Sequence, residues 1–560
     1  MKGDFSRNTF RQTKHYNGVF TQQGRVLNDA DLNEQFAIQS YLRNTAHKDI
    51  VGACGVPRDG GGFEIKMLPD GTDLEITPGR IYVDGVLCEL EGEWISCKIT
   101  ELYKEQLLVI FSVETIVFDA RHLEKEQYLE LQSRDGGLDL KAIIKISDIS
   151  EGPGSILVCN FLESSSGVFD EFYDRPISLF LRRVTTYRTQ ADYPNPDISR
   201  LSDGNQEKLY FLVYLCVFSL HRTANDDPSI KEVALGGPDT ATRIKTLWQV
   251  RLLPVPQDVY SNARTCDFEF EAWDQLIAES TGKLKAWTDP DAEIDKPCLL
   301  PPGSGYTGLE NQLYRIEIHN VDEEGVASFK WSRENGTVVT VIHSIDGSEI
   351  TVRDLGRDKN LGFNTGDWVE VIDDTHILNQ RPGVMAQIEV DPDRNIIKVS
   401  SDIDLSNIDI RNNAQVRRWE SGPLSIDYDV PYELERGVNV QFSTGTHRVG
   451  DYWFVPARTA TADIEWPRDR YGNPVPQRPT GISTSYCRLA VISSALTNRT
   501  PTHVENGVNI FDCRRYFDPL IKHTPVAASD TLVVTSIGLR SNSDTTTLIM
   551  PGDHLNDTEV

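Results

Sequence analysis

The stretch EITPGRIYVDGVLCELE, residues 75–91, alternates apolar and polar side chains on both sides of the dipeptide Asp84-Gly85. An Asp-Gly pair between two alternating runs predicts a β-hairpin with a two-residue type I′ turn. The register of that turn places two pairs on one face of the hairpin: Ile81 with Cys88, and Val83 with Val86.

Strand-like runs continue along most of the chain, and helical periodicity is rare. The further candidates are Leu107–Phe118, Ile143–Ile146, Ile156–Phe161, Leu209–Leu220, a strand around Trp248, and the runs GVNVQF, GDYWFVPAR and YCRLAVI within 436–525. Leu209–Leu220 is the most apolar run, but its 12 residues fall short of the roughly 18 that cross a bilayer. It predicts a strand buried on both faces.

Residues 308–430 add a second turn dipeptide, this time Asn-Gly, and a compact group of strands. SFKWSRENGTVVTVI predicts a hairpin about Asn335-Gly336. Segments 366–374 and 383–403 are typical of a small barrel, and EAWDQLIAE, residues 271–279, predicts a short helix.

These patterns predict a mainly β, multidomain fold of β-sandwich and small β-barrel modules with an N-terminal amphipathic helix. The expected divisions are 1–55 (arm and docking helix), 56–260 (β-rich), 261–430 (β-rich with the small barrel), 431–525 (β-rich) and 526–560 (C-terminal tail with one strand-like run, TLVVTSI).

The helix signal begins at Asp31, which is a candidate N-cap, and Glu34 three residues later completes a capping box. Apolar side chains recur at i,i+4 spacing through about His47. A helix of about 16 residues is marginal in isolation and needs a surface to pack on. We therefore predict an assembly helix whose residues are Asp31, Leu32, Glu34, Phe36, Ile38 and Leu42.

The charge balance restricts the class of partner. A formal net charge of −28 and a pI near 4.8 disfavour nucleic acid or an anionic membrane, because no Lys/Arg-rich run opposes the repulsion. The opening MKGDFSRNTF has no apolar core of a signal peptide. We expect synthesis in the cytoplasm, with no direct membrane insertion.

The nine cysteines are spread along the chain without a CxxC motif. In a chain made in the cytoplasm most are expected to be reduced core residues. Two disulfides, Cys266–Cys298 and Cys487–Cys513, stay open as alternatives for a protein that leaves the cell.

No motif predicts a catalytic, cofactor or metal site. The segment DADLNE fails as a calcium loop, because Glu34 replaces the glycine at position 6 and Ser40 replaces the glutamate at position 12. No two of the eleven histidines lie within five residues of each other. The acidic clusters 267–274, 372–374 and 391–395 are expected on solvated faces, and the strand tryptophans in the core.

The opening MKGDFSRNTF followed by QQGRVLNDADLNEQ resembles a family of large bacterial β-rich proteins that carry a domain-of-unknown-function label. That family occurs among genes of phage-tail-like contractile injection systems. Further matching segments are ITPGRIYVDG, EVALGGPDTATRIKTLWQVR, GYTGLENQLYRIEIHN, FKWSRENGTVV, GDWVEV, GDYWFVPARTATADIEWP and FDCRRYFDPL. The resemblance covers about residues 1–520 and implies a part at or around the baseplate.

Our leading hypothesis is a non-enzymatic structural component (a cage, plug or fibre-like piece) that assembles as a three- or six-fold homo-oligomer. Its partners are other subunits of the baseplate or spike, in a particle that stays in the cytoplasm or is released. Two alternatives from other classes are a cell-surface adhesin or carbohydrate-binding protein, and a carboxylate-dependent hydrolase.

Overall fold

The structure is a computed structural model, and it describes residues 2–113, 124–133, 141–150, 155–162, 165, 168–169, 178–196, 210–237, 239–262, 266–288, 305–493, 509–519, 532–533 and 554–555. Strands make up 43% of it and helices 12%. The predicted mainly β, multidomain fold with an N-terminal helix is confirmed.

The N-terminal part places one long helix against a small sheet. Its elements are α1 (Asp29–Val51), β1 (Cys54–Pro57), β2 (Ile65–Met67), β3 (Leu74–Ile76), β4 (Gly79–Val83) and β5 (Val86–Leu90). β4 and β5 form the predicted hairpin, in which Ile81 pairs with Cys88 and Val83 with Val86. Asp84 and Gly85 have φ of 49° and 79°, as a type I′ turn requires. This prediction is confirmed.

Six strands close into a barrel with its own core. They are β6 (Ile95–Tyr103), β7 (Leu108–Val113), β8 (Tyr128–Ser133), β9 (Lys141–Ser150), β10 (Ser155–Phe161) and β11 (Leu179–Arg183), in the order β10-β7-β6-β11-β8-β9. Phe111, Leu131 and Ile146 are fully buried inside it. The part of the predicted strand Leu107–Phe118 beyond residue 113 lies outside the described residues.

A four-stranded sheet joins distant parts of the chain. The order of strands in this sheet is β14 (Arg243–Pro254), β13 (Tyr210–Arg222), β30 (Thr484–Ser493) and β31 (Asn509–Asp512). The short strand β12 (Thr185–Thr186) precedes them in the chain and pairs with β3 of another sheet. Alternate residues of β13 enter two different cores: Val213 and Leu215 pack on one side, Leu212 and Tyr214 on the other. The prediction of a strand buried on both faces is confirmed.

Two further sheets pack face to face around one core, as in a β-sandwich. The first has the order β25 (Leu424–Ser425), β17 (Ala327–Ser332), β16 (Gln312–Val321), β28 (Tyr452–Arg458), β29 (Asp463–Ile464). The second is β15 (Lys283–Thr288), β27 (Val438–Ser443), β26 (Pro431–Glu435). Tyr314, Phe329, Phe442 and Trp453 fill the space between them.

The remaining large sheet has seven strands and ends on β21 and β22. Its order is β21 (Val384–Gln387), β20 (Trp368–Ile372), β24 (Gln415–Trp419), β18 (Val339–Asp346), β19 (Glu349–Val352), β23 (Ile396–Lys398), β22 (Glu389–Asp391). Residues 366–403, for which a small barrel is predicted, contribute β20, β21, β22 and β23 to this sheet, and the closed barrel of the structure lies in β6–β11.

The predicted hairpin about Asn335-Gly336 is wrong in its pairing. Both residues have positive φ, 52° and 66°, so the turn itself forms. The strands on its two sides do not pair with each other: β17 pairs with β16 and β25, and β18 with β19 and β24. The turn passes the chain from the sandwich to the seven-stranded sheet.

Short helices and small strands complete the described elements: α2 (Gln257–Asn262), α3 (Glu271–Ile277), α4 (Asp374–Leu378), β32 (Tyr516–Phe517), β33 (Leu532–Val533), β34 (His554–Leu555), and 3-10 helices at Gln12–Lys14, Lys104–Gln106, Pro228–Ile230 and Val233–Leu235. α3 is the helix predicted from EAWDQLIAE. Most of TLVVTSI lies outside the described residues. Strand pairing joins segments that were expected to be separate. β13 of segment 56–260 pairs with β30 of segment 431–525, and β15 of segment 261–430 pairs with β27 of segment 431–525.

The single disulfide in the described residues joins Cys266 to Cys513. Both open pairings are thereby overturned, because Cys513 is bonded to Cys266 and Cys487 is a buried free thiol. The bridge holds the segment around β32 to the region before α3, and β32 in turn pairs in parallel with β1.

Helix α1 rests on the β4–β5 hairpin at its turn. The Lys48 ammonium lies 2.7 Å from an Asp84 carboxylate oxygen, and His47 Nδ1 is 3.2 Å from the Gly85 carbonyl oxygen. A Cβ on Gly85 would come within 1.9 Å of the Asn44 carbonyl oxygen. The turn glycine is thus required twice, for its φ and for the approach of the helix.

We expect Gly85→Ala to reduce the free energy of unfolding by roughly 2–4 kcal/mol, because backbone strain and overlap with α1 add together. Gly71→Ala is the matched control: its φ is 69° and nothing lies within 4 Å of the added Cβ. It should lose only about 1 kcal/mol. Urea unfolding measures both, and equal losses would show that α1 does not rest on this turn.

Candidate functional site

Helix α1 begins three residues earlier than its sequence signal indicates. The N-cap is Asn28, whose side-chain oxygen accepts a hydrogen bond from the Ala30 amide at 3.3 Å. The predicted cap at Asp31 is wrong, because an asparagine in the extended conformation already satisfies the first turn. Asp31 lies within the first turn, where a carboxylate favours the helix dipole.

The arm that precedes α1 folds back along it through polar contacts. The Ser6 backbone amide donates to the Asp29 carboxylate at 2.9 Å, and the Gln12 side-chain amide donates to the Tyr41 hydroxyl at 2.6 Å. The Thr9 hydroxyl donates to Glu34, which replaces the predicted capping box. The polar side chains of α1 therefore hold the arm.

The apolar residues of the predicted assembly helix separate into two groups. Ile38 is fully buried, whereas Leu32, Phe36 and Leu42 expose 58%, 54% and 43% of their surface. Leu32 and Phe36 are one turn apart, but Leu42 lies about 120° around the helix from Phe36 at 3.6 residues per turn. The structure thus brings Leu32 and Phe36 together and places Leu42 closer to the stripe of Ile38.

Exposed apolar residues of the arm border the first turns of α1. Phe20 and Val26 are 92% and 93% exposed, and a shallow cleft of about 110 Å³ is lined by Phe20, Val26, Leu27 and Leu32. We call Phe20, Val26, Leu27, Leu32 and Phe36 the docking face. Grouped exposed apolar side chains of this kind mark interaction surfaces.

The other end of the arm enters the body of the protein. The Asn335 side-chain amide donates to the Gly3 carbonyl oxygen at 2.8 Å, and Arg458 donates to that of Ser6 at 2.9 Å. The His221 ring packs edge-on against Phe5. The arm is therefore attached to the body at its start and to α1 along its length.

Lys2 takes part in a buried ion cluster, which consists of Lys2, Glu317, Lys330 and Glu370. The Lys2 ammonium lies 3.1 Å from Glu317, and the Lys330 ammonium lies 2.6 Å from Glu370 and 3.5 Å from Glu317. Both ammonium groups also face the ring of Trp419, at 5.2 and 4.4 Å from its centroid. Each charge has an opposite charge beside it, as burial requires.

The electrostatics of the cluster keep its carboxylates ionised. Burial alone would raise the pKa of Glu370, but the Lys330 and Lys2 ammonium groups hold that pKa at about 2. Burial lowers the pKa of Lys2 to about 8 against the opposing effect of Glu317. Burial and the charge of Lys330 lower the pKa of His319 to about 4. Carboxylates held ionised in this way cannot donate a proton at neutral pH, so they act as anchors.

The pattern of β16 gave no warning of this cluster. Tyr314, Ile316 and Ile318 face the sandwich core, and Glu317 alternates with them like an ordinary solvent-facing residue. The polar face is instead covered by the arm and the seven-stranded sheet. Lys2, Glu317, Lys330 and Glu370 were therefore missed.

We expect Glu370→Gln to lower the free energy of unfolding by about 3–5 kcal/mol, because it leaves Lys330 buried without its nearest partner. The matched control is Glu389→Gln, which changes the exposed first residue of β22. It should change the free energy of unfolding by less than about 0.5 kcal/mol. Chemical denaturation of both variants makes the comparison. A loss for Glu370→Gln no larger than the control's would contradict the anchoring role.

The acidic clusters and strand tryptophans have structural partners. Asp373 is fully buried and caps α4 through the His376 amide, which corrects its expected place on a solvated face. Asp267 pairs with Arg515 at 2.8 Å. Core packing is confirmed for Trp331, Trp453 and Trp466, and all nine tryptophans fall in the described residues without one being exposed.

One buried histidine lacks hydrogen-bond partners. Both ring nitrogens of His447 are buried and unpaired, and the ring stacks on Tyr428 beside Phe442 and Trp453. Burial lowers the pKa of His447 to about 4. Between that value and the ordinary 6.5, the unfolded chain binds more protons than the folded chain. Stability therefore falls as the pH falls from 6.5 toward 4.

His447→Leu should remove the contribution of His447 to the acid sensitivity of folding. That contribution is a loss of up to about 3 kcal/mol in the free energy of unfolding between pH 7 and pH 4. Unfolding free energies at pH 7, 5.5 and 4 for wild type, His447→Leu and the exposed-site control His343→Leu measure it. Parallel pH profiles for wild type and His447→Leu would refute the assignment.

Within the described ranges, no group of three or more histidine, cysteine or acidic side chains is arranged to hold a metal ion. In the same part of the chain, none of the helices combines the length and apolar character needed to cross a membrane.

The fold and its arm define a multidomain β protein that presents an N-terminal helix at its surface. Residues 1–102 and 258–495 match a family of unknown function (DUF6519). Because this match covers more than half of the chain, the protein belongs to that family. Neither the curated proteins nor the solved structures contain a match to the chain.

Proposed function

We propose that the chain is a structural subunit of a phage-tail-like contractile injection particle, at or around its baseplate. It acts by contact with other baseplate or spike subunits and by forming a symmetric oligomer of three or six copies. The resemblance of its N-terminal segments to proteins encoded among such systems motivates this proposal, and membership of a family of unknown function leaves the role open.

The observation that carries the proposal is the docking face beside an anchored arm. Leu32 and Phe36 are exposed on α1, whereas Ile38 of the same helix is fully buried. The arm contacts fix the first turns of α1, so these side chains are presented without a large ordering cost on binding. A preorganised apolar surface of this kind suits a subunit that is docked by its neighbours.

The disulfide favours the released form of the particle. Cys266–Cys513 is the kind of bond that persists in oxidising surroundings and is rare in the cytosol. Under the proposal, the chain is made and assembled in the cytoplasm, and the bridge forms once the particle is outside. The carbohydrate-binding alternative gains no support from the tryptophans, since stacking on a sugar needs an exposed ring.

The double variant Leu32→Asp/Phe36→Asp should abolish incorporation into the particle, because two desolvated carboxylates would oppose apolar contact. Its β-sheets should still form, since both side chains face solvent. Particles purified from cells are analysed by immunoblot for the chain, and the free variant by circular dichroism.

The matched control is Val233→Asp/Leu309→Asp, which changes two other exposed apolar residues, 83% and 100% exposed. It should incorporate normally. Normal incorporation of the Leu32/Phe36 variant would refute the role of the docking face.

A further inference from the structure

A cavity of about 140 Å³ lies where the arm meets β13, β16, β20 and β24. Its floor contains the buried ion cluster, together with Arg315 and Arg417. Its rim contains Leu220, Ile377, Val449 and Ile482, which are all partly exposed. The lining also contains the exposed residues Ser219 and Arg381. The cavity therefore has a charged floor and a mouth in which apolar side chains predominate.

The lining carries an excess of positive charge in a strongly acidic protein. Six cationic side chains border the cavity: Lys2, Arg222, Arg315, Lys330, Arg381 and Arg417. The acidic side chains of the lining are Asp226, Glu317 and Glu370. Asp374, just outside, pairs with Arg222 at 2.9 Å, which still leaves a formal excess of two.

Arg417 is a buried cation of this lining, and the carboxylates that act on it, Asp226, Glu370 and Glu317, do so only through space. Its side chain is 7% exposed, and it donates to the Gly336 carbonyl oxygen and, at 3.5 Å, to the Gln415 side-chain oxygen. Both acceptors are neutral, and no carboxylate oxygen of a described residue lies within 4 Å of its guanidinium. A buried guanidinium with neutral acceptors favours an oxyanion, which it can bind through two parallel hydrogen bonds.

The size and rim of the cavity restrict the anion further. Pockets for drug-sized ligands measure about 300–1,000 Å³, so this cavity suits a molecule of only a few non-hydrogen atoms. The apolar mouth favours a hydrocarbon group over inorganic phosphate, which would leave the rim side chains without a partner.

We propose that the cavity binds a short aliphatic monocarboxylate, with its carboxylate on Arg417 and its hydrocarbon group against the rim. The bound charge offsets the excess on the floor, where Lys2 lies beside Lys330. Binding therefore also stabilises the seated arm. This inference is independent of the proposed role in assembly.

Titration calorimetry on the full chain tests the proposal with three probes: 3-methylbutanoate, its neutral amide analogue and inorganic phosphate, at equal ionic strength. The carboxylate should bind at least tenfold tighter than the amide and than phosphate. Equal binding of the amide would overturn the charge argument, equal binding of phosphate would overturn the rim argument, and no binding of the carboxylate would overturn the site.

Variants locate the site. Arg417→Gln should reduce carboxylate affinity at least tenfold, whereas Arg411→Gln, at an arginine whose side chain is 88% exposed, should leave it unchanged. If Arg417→Gln does not fold, Ile482→Asp and Ile482→Asn test the site at a rim residue that is 37% exposed. These two variants differ from each other essentially in charge alone. The aspartate variant should bind more weakly than the asparagine variant, and equal affinities would overturn the proposal.

Discussion

Two carboxylates, Glu317 and Glu370, are buried where the sandwich meets the seven-stranded sheet, and they remain ionised only because cations are placed beside them. Three cations surround them: Arg315 lies 2.6 Å from Glu317 on the same strand, Lys330 comes from the neighbouring strand, and Lys2 comes from the arm. The ion pair of Lys2 with Glu317 attaches the first residues of the chain to the body. The arm then has a fixed origin, and α1 is held in a fixed orientation.

Local signals were sufficient where a few neighbouring residues determine the structure. The Asp84-Gly85 turn, the doubly buried strand β13 and the short helix α3 all follow from patterns within about 15 residues. The turn at Asn335-Gly336 shows the limit of such patterns. Its backbone forms as the dipeptide predicts, but the partners of β17 and β18 come from distant parts of the chain.

The candidate site divides in the same way. Helical spacing places Leu32 and Phe36 on one face of α1, because the spacing of a helix is a local property. Their role in docking stays a prediction. The N-cap is Asn28 instead of Asp31, and Glu34 is bonded to Thr9 of the arm instead of completing a capping box. Helix spacing does not encode the contact with the arm. The ion cluster was missed because an alternating strand such as β16 has the same sequence pattern whether its polar face meets water or another sheet. The Cys266–Cys513 pairing spans 247 residues and likewise needed the fold.

The family match includes the residues of the arm and of the ion cluster and leaves residues 103–257 outside it. Most of the closed barrel lies in that unmatched segment, and its strands pair only with one another among the described elements. The segment also contributes β13 and β14, which share a sheet with β30. The unmatched segment is thus joined to the matched residues by β13, which packs into two cores.

We propose that this chain works as a building block of a particle. Electron microscopy of contractile particles purified from cells that carry the gene and from cells that lack it tests this claim most directly. We expect baseplate density into which the sandwich and the closed barrel fit. This density should be present in particles from cells that carry the gene and absent from particles of cells that lack it. Identical baseplate density in the two preparations would contradict it.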